Sequence, residues 1–188
     1  MKIPFNPFSL ANGLIVAPHG ITDLFHAVEY KNMIPLSQIY TSSFSLIPIS
    51  DTLINYDYHI RLLDFVFVLS AIIHFRHDIP CLVYNKKTIP PELMSSLLIM
   101  LSPILGMNIF SLYMIFHHVP LHYKKCWPLV QKYKKNIIIS VCLLSIPGYY
   151  MIDNFKTLSH LEYSFMESII VAHIVYNELY IDNQSNAE

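Results

Sequence analysis

From Leu93 to Phe116 the chain runs 24 residues without a charged side chain. At about 1.5 Å of rise per residue such a segment reaches across a hydrocarbon layer about 30 Å thick. A chain carrying this run must either bury it among other helices or place it in a bilayer. Composition favours the bilayer: of 188 residues, 54% are hydrophobic and 13% charged, too apolar for an ordinary water-surrounded domain. The expected fold class is therefore all-α, a polytopic integral membrane bundle of five to six transmembrane helices. It forms one domain over residues 1–181 with a polar tail at 182–188, and its expected location is an integral, multi-pass position in the lipid bilayer.

The remaining segments follow from breakers and charges. A first helix is expected over Leu10 to Tyr30, and Tyr40 to Ile54, rich in Ser and Thr and containing Pro48, reads as a span, a re-entrant segment or a loop. A third helix is expected from Ile60 to Ile79, with Arg61 and Asp64 at helical spacing and His74, His77 and Asp78 in its last turn. Pro103 and Gly106 interrupt the long run, and a break there is preferred because it lets His74 and His118 reach similar depth. Lys124 to Lys135 form a basic loop, followed by helices over Asn136 to Ile152 and Leu158 to Ile181. A start with one lysine and two prolines is not that of a cleaved signal. A net charge of −1 argues against a nucleic-acid partner. Cys81, Cys126 and Cys142, widely spaced and without C-x-x-C, indicate neither a disulfide framework nor a thiolate zinc site.

Ten histidines lie within or beside these apolar stretches. A neutral imidazole in such a setting still needs a polar partner, and several together are economically explained by a metal. His118 and His122 stand at i and i+4, a spacing that lets two rings converge on one ion, although Pro120 between them kinks or ends the helix. Asp23 follows His19, Asp78 follows His74 and Asn177 follows His173, each at i+4. A carboxylate or amide so placed accepts the second N–H of a ligand ring, or else enters a helix-face pair such as Asp23 with Lys31 or Asp78 with Arg76. His77 and His117 adjoin these residues but point elsewhere, while His26 and His173 read as supporting or channel-lining residues.

In order and local context, four elements resemble the Brp/Blh family of membrane β-carotene dioxygenases. They are Pro18-His19-Gly20 with Asp23, Ser70 with His74-Phe75 and Asp78, the pair His118 and His122, and His173. The resemblance implies a non-haem Fe(II) held by His19, His74, His118 and His122, with Asp23, Asp78 and His173 supporting the ligands. It further implies cleavage of β-carotene or a related apolar polyene with O₂ to retinal. The chain departs from the family in its shorter His74 to His118 interval and in the V-P-L between the paired histidines. A different class remains open: a non-enzymatic histidine-rich membrane protein binding haem or metal, or a scaffold that keeps the motifs.

Overall fold

The computed structural model describes residues 10–53, 62–78, 90–105, 107–153 and 159–182. Cys81, His59 and the ends of the expected 60–79 helix lie outside them. Among the described residues the regular structure is entirely helical, in agreement with the all-α reading. The helices are α1 (Ile21–Glu29), α2 (Met33–Leu53), α3 (Leu62–Phe75), α4 (Pro91–Leu105), α5 (Met107–Tyr113), α6 (Val119–Lys125), α7 (Trp127–Lys132), α8 (Lys134–Asp153) and α9 (His160–Tyr176).

The membrane expectation is corrected. Among the described residues no helix is long and apolar enough to cross a membrane, which overturns both the five to six spans and the multi-pass location. The reason is segmentation. The long apolar run is divided between α4, of 15 residues, and α5, so α4 is only about 22 Å long. The apolar α3 has 14 residues and spans about 21 Å. The longer α2 and α8 dilute their apolar content with serines, or with lysines at the start and Asp153 at the end. Hydropathy is spread over short elements, leaving Ile34, Met100, Phe116 and Ile146 largely exposed.

α9 is the central strut, packed against α2 and α3. Its N-terminus is fixed by a capping box, in which the Ser159 hydroxyl accepts from the Glu162 amide and the Glu162 carboxylate accepts from the Ser159 amide. Residues 171–174 and 176 are all buried, as a helix covered on several sides requires. Two apolar clusters form along it. Tyr176 and Ile181 join Ala27, Leu36 and Cys126, while Ile174 joins Ala71, Phe75 and Met114.

The Ser-rich segment from Tyr40 is helical, and α2 continues through Pro48. Its polarity has a use: buried Ser50 accepts the backbone N–H of Leu63 in the first turn of α3, a donor the helix itself leaves unpaired. Ser95 likewise donates to the Ile72 carbonyl at 2.6 Å, fastening α4 to α3. The segment before α1 lies on α8, where a Cβ on Gly13 would stand 2.6 Å from the Tyr149 Cα; only glycine permits that approach. Lys31, at φ 59°, takes the left-handed conformation after α1, and the Asn32 amide closes back on the Ala27 carbonyl at 2.8 Å.

Among the described residues three π-helical turns interrupt the regular helices, at Asn12–Val16, Met114–His118 and Asn177–Ile181. The second explains how Pro120 is tolerated. Lacking an N–H, Pro120 cannot serve the Phe116 carbonyl four residues back, and the widened turn, with Val119 bonded to Met114, relieves the clash of its ring there.

Candidate metal centre

Each π turn adjoins a member of one buried histidine cluster. The rings of His19, His74, His118, His122 and His173 meet there, and every one of these residues is at most 8% exposed. His19 comes from the short 3₁₀ turn Ala17–Gly20, His74 from the end of α3, His118 from the second π turn, His122 from α6 and His173 from α9. Neighbouring ring centroids are 4.6 Å apart for His19 and His173, 4.9 Å for His74 and His118, and 5.4 Å for His19 and His122. The structure thus brings together all four histidines named as ligands and adds His173 as a fifth ring in contact with them.

The outer nitrogens have specific acceptors. His118 Nδ1 donates to Asp78 at 2.7 Å and His173 Nδ1 to Asp23 at 2.8 Å, while His19 Nδ1 donates to the Val16 carbonyl. An ionised carboxylate or a carbonyl can only accept, so each of these contacts places the proton on Nδ1 and leaves the Nε2 lone pair facing inward. His122 differs. The Thr22 hydroxyl donates to the His19 carbonyl at 2.9 Å and therefore accepts from His122 Nε2 at 2.6 Å, making Nδ1 the lone-pair nitrogen of that ring.

Inside the cluster, His19 Nε2 and His173 Nε2 are 3.0 Å apart and His74 Nε2 and His118 Nε2 3.4 Å. Two nitrogens each about 2.1 Å from a common ion lie about 3.0 Å apart at a right angle and about 3.4 Å apart at the tetrahedral angle. Neutral imidazoles are metal donors, and each of these two contacts, taken as a pair, has the spacing of two nitrogens on one ion. Burial first, then the nearby His173 and His118 rings, holds His19 well below the ordinary histidine pKa. His122 is lowered in the same way, by burial and then by His19. Burial brings His74 down to about 4 against the opposing pull of Glu178. These rings are neutral near pH 7, the form that binds metal.

The carboxylates sit across helices. Asp23, four residues after His19, accepts instead from His173, and also from Asn177 Nδ2 at 3.0 Å. Asp78, four residues after His74, accepts from His118 and from the Tyr113 hydroxyl at 2.5 Å. Burial alone would raise the Asp78 carboxyl, but His118 and Tyr113 hold it below its ordinary value. Neither of the alternative pairs, Asp23 with Lys31 or Asp78 with Arg76, is what positions these acids.

Thr22 and Glu178 carry no signal of a site role in the sequence, and Tyr113 offers only that of an aromatic able to line an apolar channel. Thr22 lies within the P-H-G-I-T-D element but carries no metal-ligand signature, and Tyr113 is one aromatic among many. Asn177, at i+4 from His173, does reach that ring, its Nδ2 3.1 Å from His173 Nδ1, and also donates to Asp23, whereas Glu178, one residue on in the third π turn, reaches His74 and His77. His77 Nε2 stands 3.0 Å from Glu178 Oε2. Although burial opposes it, the His74 and His77 rings beside this carboxyl lower it to about 2. His26 lies apart, hydrogen-bonded to the Tyr176 hydroxyl at 3.0 Å.

Asp182, which the sequence assigns to the polar tail, is buried and paired with Lys125 at 2.6 Å. One ligand atom from each of His74, Glu178 and Asp182 lies within 4.8 Å of the others, a group able to hold a metal ion. Compared with known proteins, the chain matches no family model, no curated protein and no solved structure.

Proposed function

We propose that the chain is a non-haem iron dioxygenase that cleaves β-carotene or a related apolar polyene to retinal or a shorter carotenoid aldehyde. The observation that carries the metal part is the His19 to His173 contact, in which two Nε2 lone pairs face each other at 3.0 Å with both Nδ1 protons committed outward. Lone pairs so placed repel unless a cation lies between them. The resemblance to the Brp/Blh family supports the choice of Fe(II) and of a polyene, and the four ligands it names are among the clustered rings.

Ferrous iron, when bound, supplies the redox chemistry with O₂ that a polypeptide lacks. The chain's residues do the rest. His19, His74, His118 and His122 would hold the ion, with His173 offering a further nitrogen. Asp23 keeps the His173 proton on Nδ1, and Asp78 does the same for His118 while Tyr113 steadies Asp78 from its other side. Beside the cluster, Phe75 stands edge-on to His118, Phe110 and Tyr113, with ring centroids 4.9, 5.9 and 5.7 Å away. That aromatic wall suits a conjugated hydrocarbon and excludes water from the rings. Haem suits the cluster poorly, because histidine nitrogens 3.4 Å apart leave no space for a porphyrin between them.

The test is expression of the full chain in bacteria that accumulate β-carotene, with retinal measured by chromatography and iron by elemental analysis. Retinal formation and bound iron, both lost in His19→Ala and His118→Ala, are expected. Folded protein holding no metal would overturn the metal reading and leave a shared proton to join His19 and His173. Iron without loss of pigment would overturn the carotenoid reading alone.

A further inference from the structure

On the side away from His118, His74 faces a second set of donors. The residue is 5% exposed, and its Nδ1 is buried without a hydrogen bond, as is Oε1 of Glu178 at 3.6 Å. A charge-assisted hydrogen bond would bring such a pair to about 2.8 Å. The observed separation is instead that of two donors sharing an ion at about 2.1 Å each, with an angle near 120° between them. Asp182 completes a triad whose ligand atoms lie within 4.8 Å of one another.

The surroundings hold both carboxylates from behind. Glu178 Oε2 is 3.0 Å from His77 Nε2 and 3.6 Å from the Arg76 guanidinium, which turns Oε1 toward His74. Asp182 Oδ1 receives Lys125 Nζ at 2.6 Å. This arrangement differs from the inner cluster, where Asp23 and Asp78 close fully on their imidazoles. The third carboxylate stops short of its ring.

We propose that His74 bridges two cations, its Nε2 facing the inner cluster and its Nδ1 joining Glu178 and Asp182 around a second divalent ion. One imidazole nitrogen and two carboxylates suit zinc or manganese. A neutral imidazole carries one N–H, so occupation of both nitrogens requires that proton to leave for solvent. Formation of the bridge releases one proton and changes no oxidation state. The bridge rests on the inner site proposed above, whereas the outer triad stands on its own residues.

Metal-stripped full-chain protein titrated with Zn²⁺, read by native mass spectrometry, tests the proposal. The expected result is two zinc equivalents for the unaltered chain, and one for the double variant Glu178→Gln, Asp182→Asn. One equivalent is also expected for His19→Ala, held at the outer triad. Circular dichroism establishes that each variant is folded, and His118→Gln replaces His19→Ala should the latter unfold. A single equivalent in the unaltered chain, lost in His19→Ala and kept in the double variant, would remove the second site while leaving the inner one intact. Two equivalents in both the unaltered chain and the double variant would place the second ion elsewhere and overturn the proposal. A readout independent of folded variants is paramagnetic resonance with Cu²⁺. Two cupric ions joined through one imidazolate couple, so the signal should fall as the second equivalent enters; growth in proportion to both equivalents would exclude the bridge.

Discussion

The inner and outer sides of the histidine cluster are built from the same residue types and differ in completion. On the inner side each of His19, His118 and His173 gives its Nδ1 proton to an acceptor within ordinary hydrogen-bonding reach or closer. On the outer side His74 Nδ1 and Glu178 Oε1 face each other and make no hydrogen bond. Buried polar groups are strongly stabilising when satisfied and costly when they are not. The contrast therefore separates residues that hold the fold from residues held ready for something else.

The largest effect should come from breaking the inner side. Asp23 is 1% exposed and receives both His173 and Asn177. Asp23→Ala leaves two buried donors without an acceptor, and a loss of about 3–5 kcal/mol is expected in chemical denaturation, together with the bound metal. Asp23→Asn keeps the shape and should weaken metal binding about 10–100-fold, as read by chelator competition. Glu178→Gln sharpens the comparison from the other side. Its Oε1 makes no hydrogen bond, and Gln keeps an oxygen for His77 while losing the charge that faces Arg76, so a loss of about 1–2 kcal/mol is expected, below that of Asp23→Ala; an equal loss would erase the distinction between the two sides.

Two backbone positions come next. A Cβ at Gly13 meets the Tyr149 Cα at 2.6 Å, and Gly13→Ala should cost about 1–3 kcal/mol because neither backbone can yield. At Gly20 the Cβ would be 3.2 Å from His173 Nδ1, the atom that serves Asp23. Gly20→Ala should therefore disturb metal affinity more than stability, a split visible when both are measured on one preparation.

The smallest effects should lie far from either side. Ser159→Ala removes the cap of α9 and should cost about 1 kcal/mol without altering metal binding. Hydrogen bonds from Ser159 hold the Glu162 carboxyl below its ordinary pKa. A depressed carboxyl contributes stability above its unfolded pKa and loses it as pH falls through the lower folded value. Thermal melting between about pH 5 and pH 3 should show that loss in the parent and a flatter profile in Ser159→Ala.

Helical character was legible because apolar stretches separated by Pro, Gly and lysine-rich segments leave little room for strands. The candidate ligands were legible because histidine is rare among such neighbours. The division of the apolar run was legible too, since Pro103 and Gly106 mark where it passes from α4 to α5, whereas the shortness of the resulting helices was not, because hydropathy alone suggested spans. Nor were the partners of the acids. The i+4 rule assumes an unbroken α-helix on one element, whereas Asp23 and Asp78 act between elements and Glu178 owes its place to a π turn. Asp182 shows the same limit, since a polar ending looks solvated until Lys125 and the buried side of α9 come to meet it.

The three π turns have a consequence for the tolerance of the chain to deletion. Each widened turn shifts the angular phase of everything that follows, and one residue of α-helix corresponds to about 100° of rotation. Excising Ile115 alone, which lets Met114–His118 relax to ordinary helix, removes the one extra residue that the widened turn absorbs and so leaves His122 on nearly its present bearing from Tyr113. Loss of one residue from the regular helix beside the turn would instead rotate His122 by about 100°, so the site should withstand a single-residue deletion inside these turns better than one next to them.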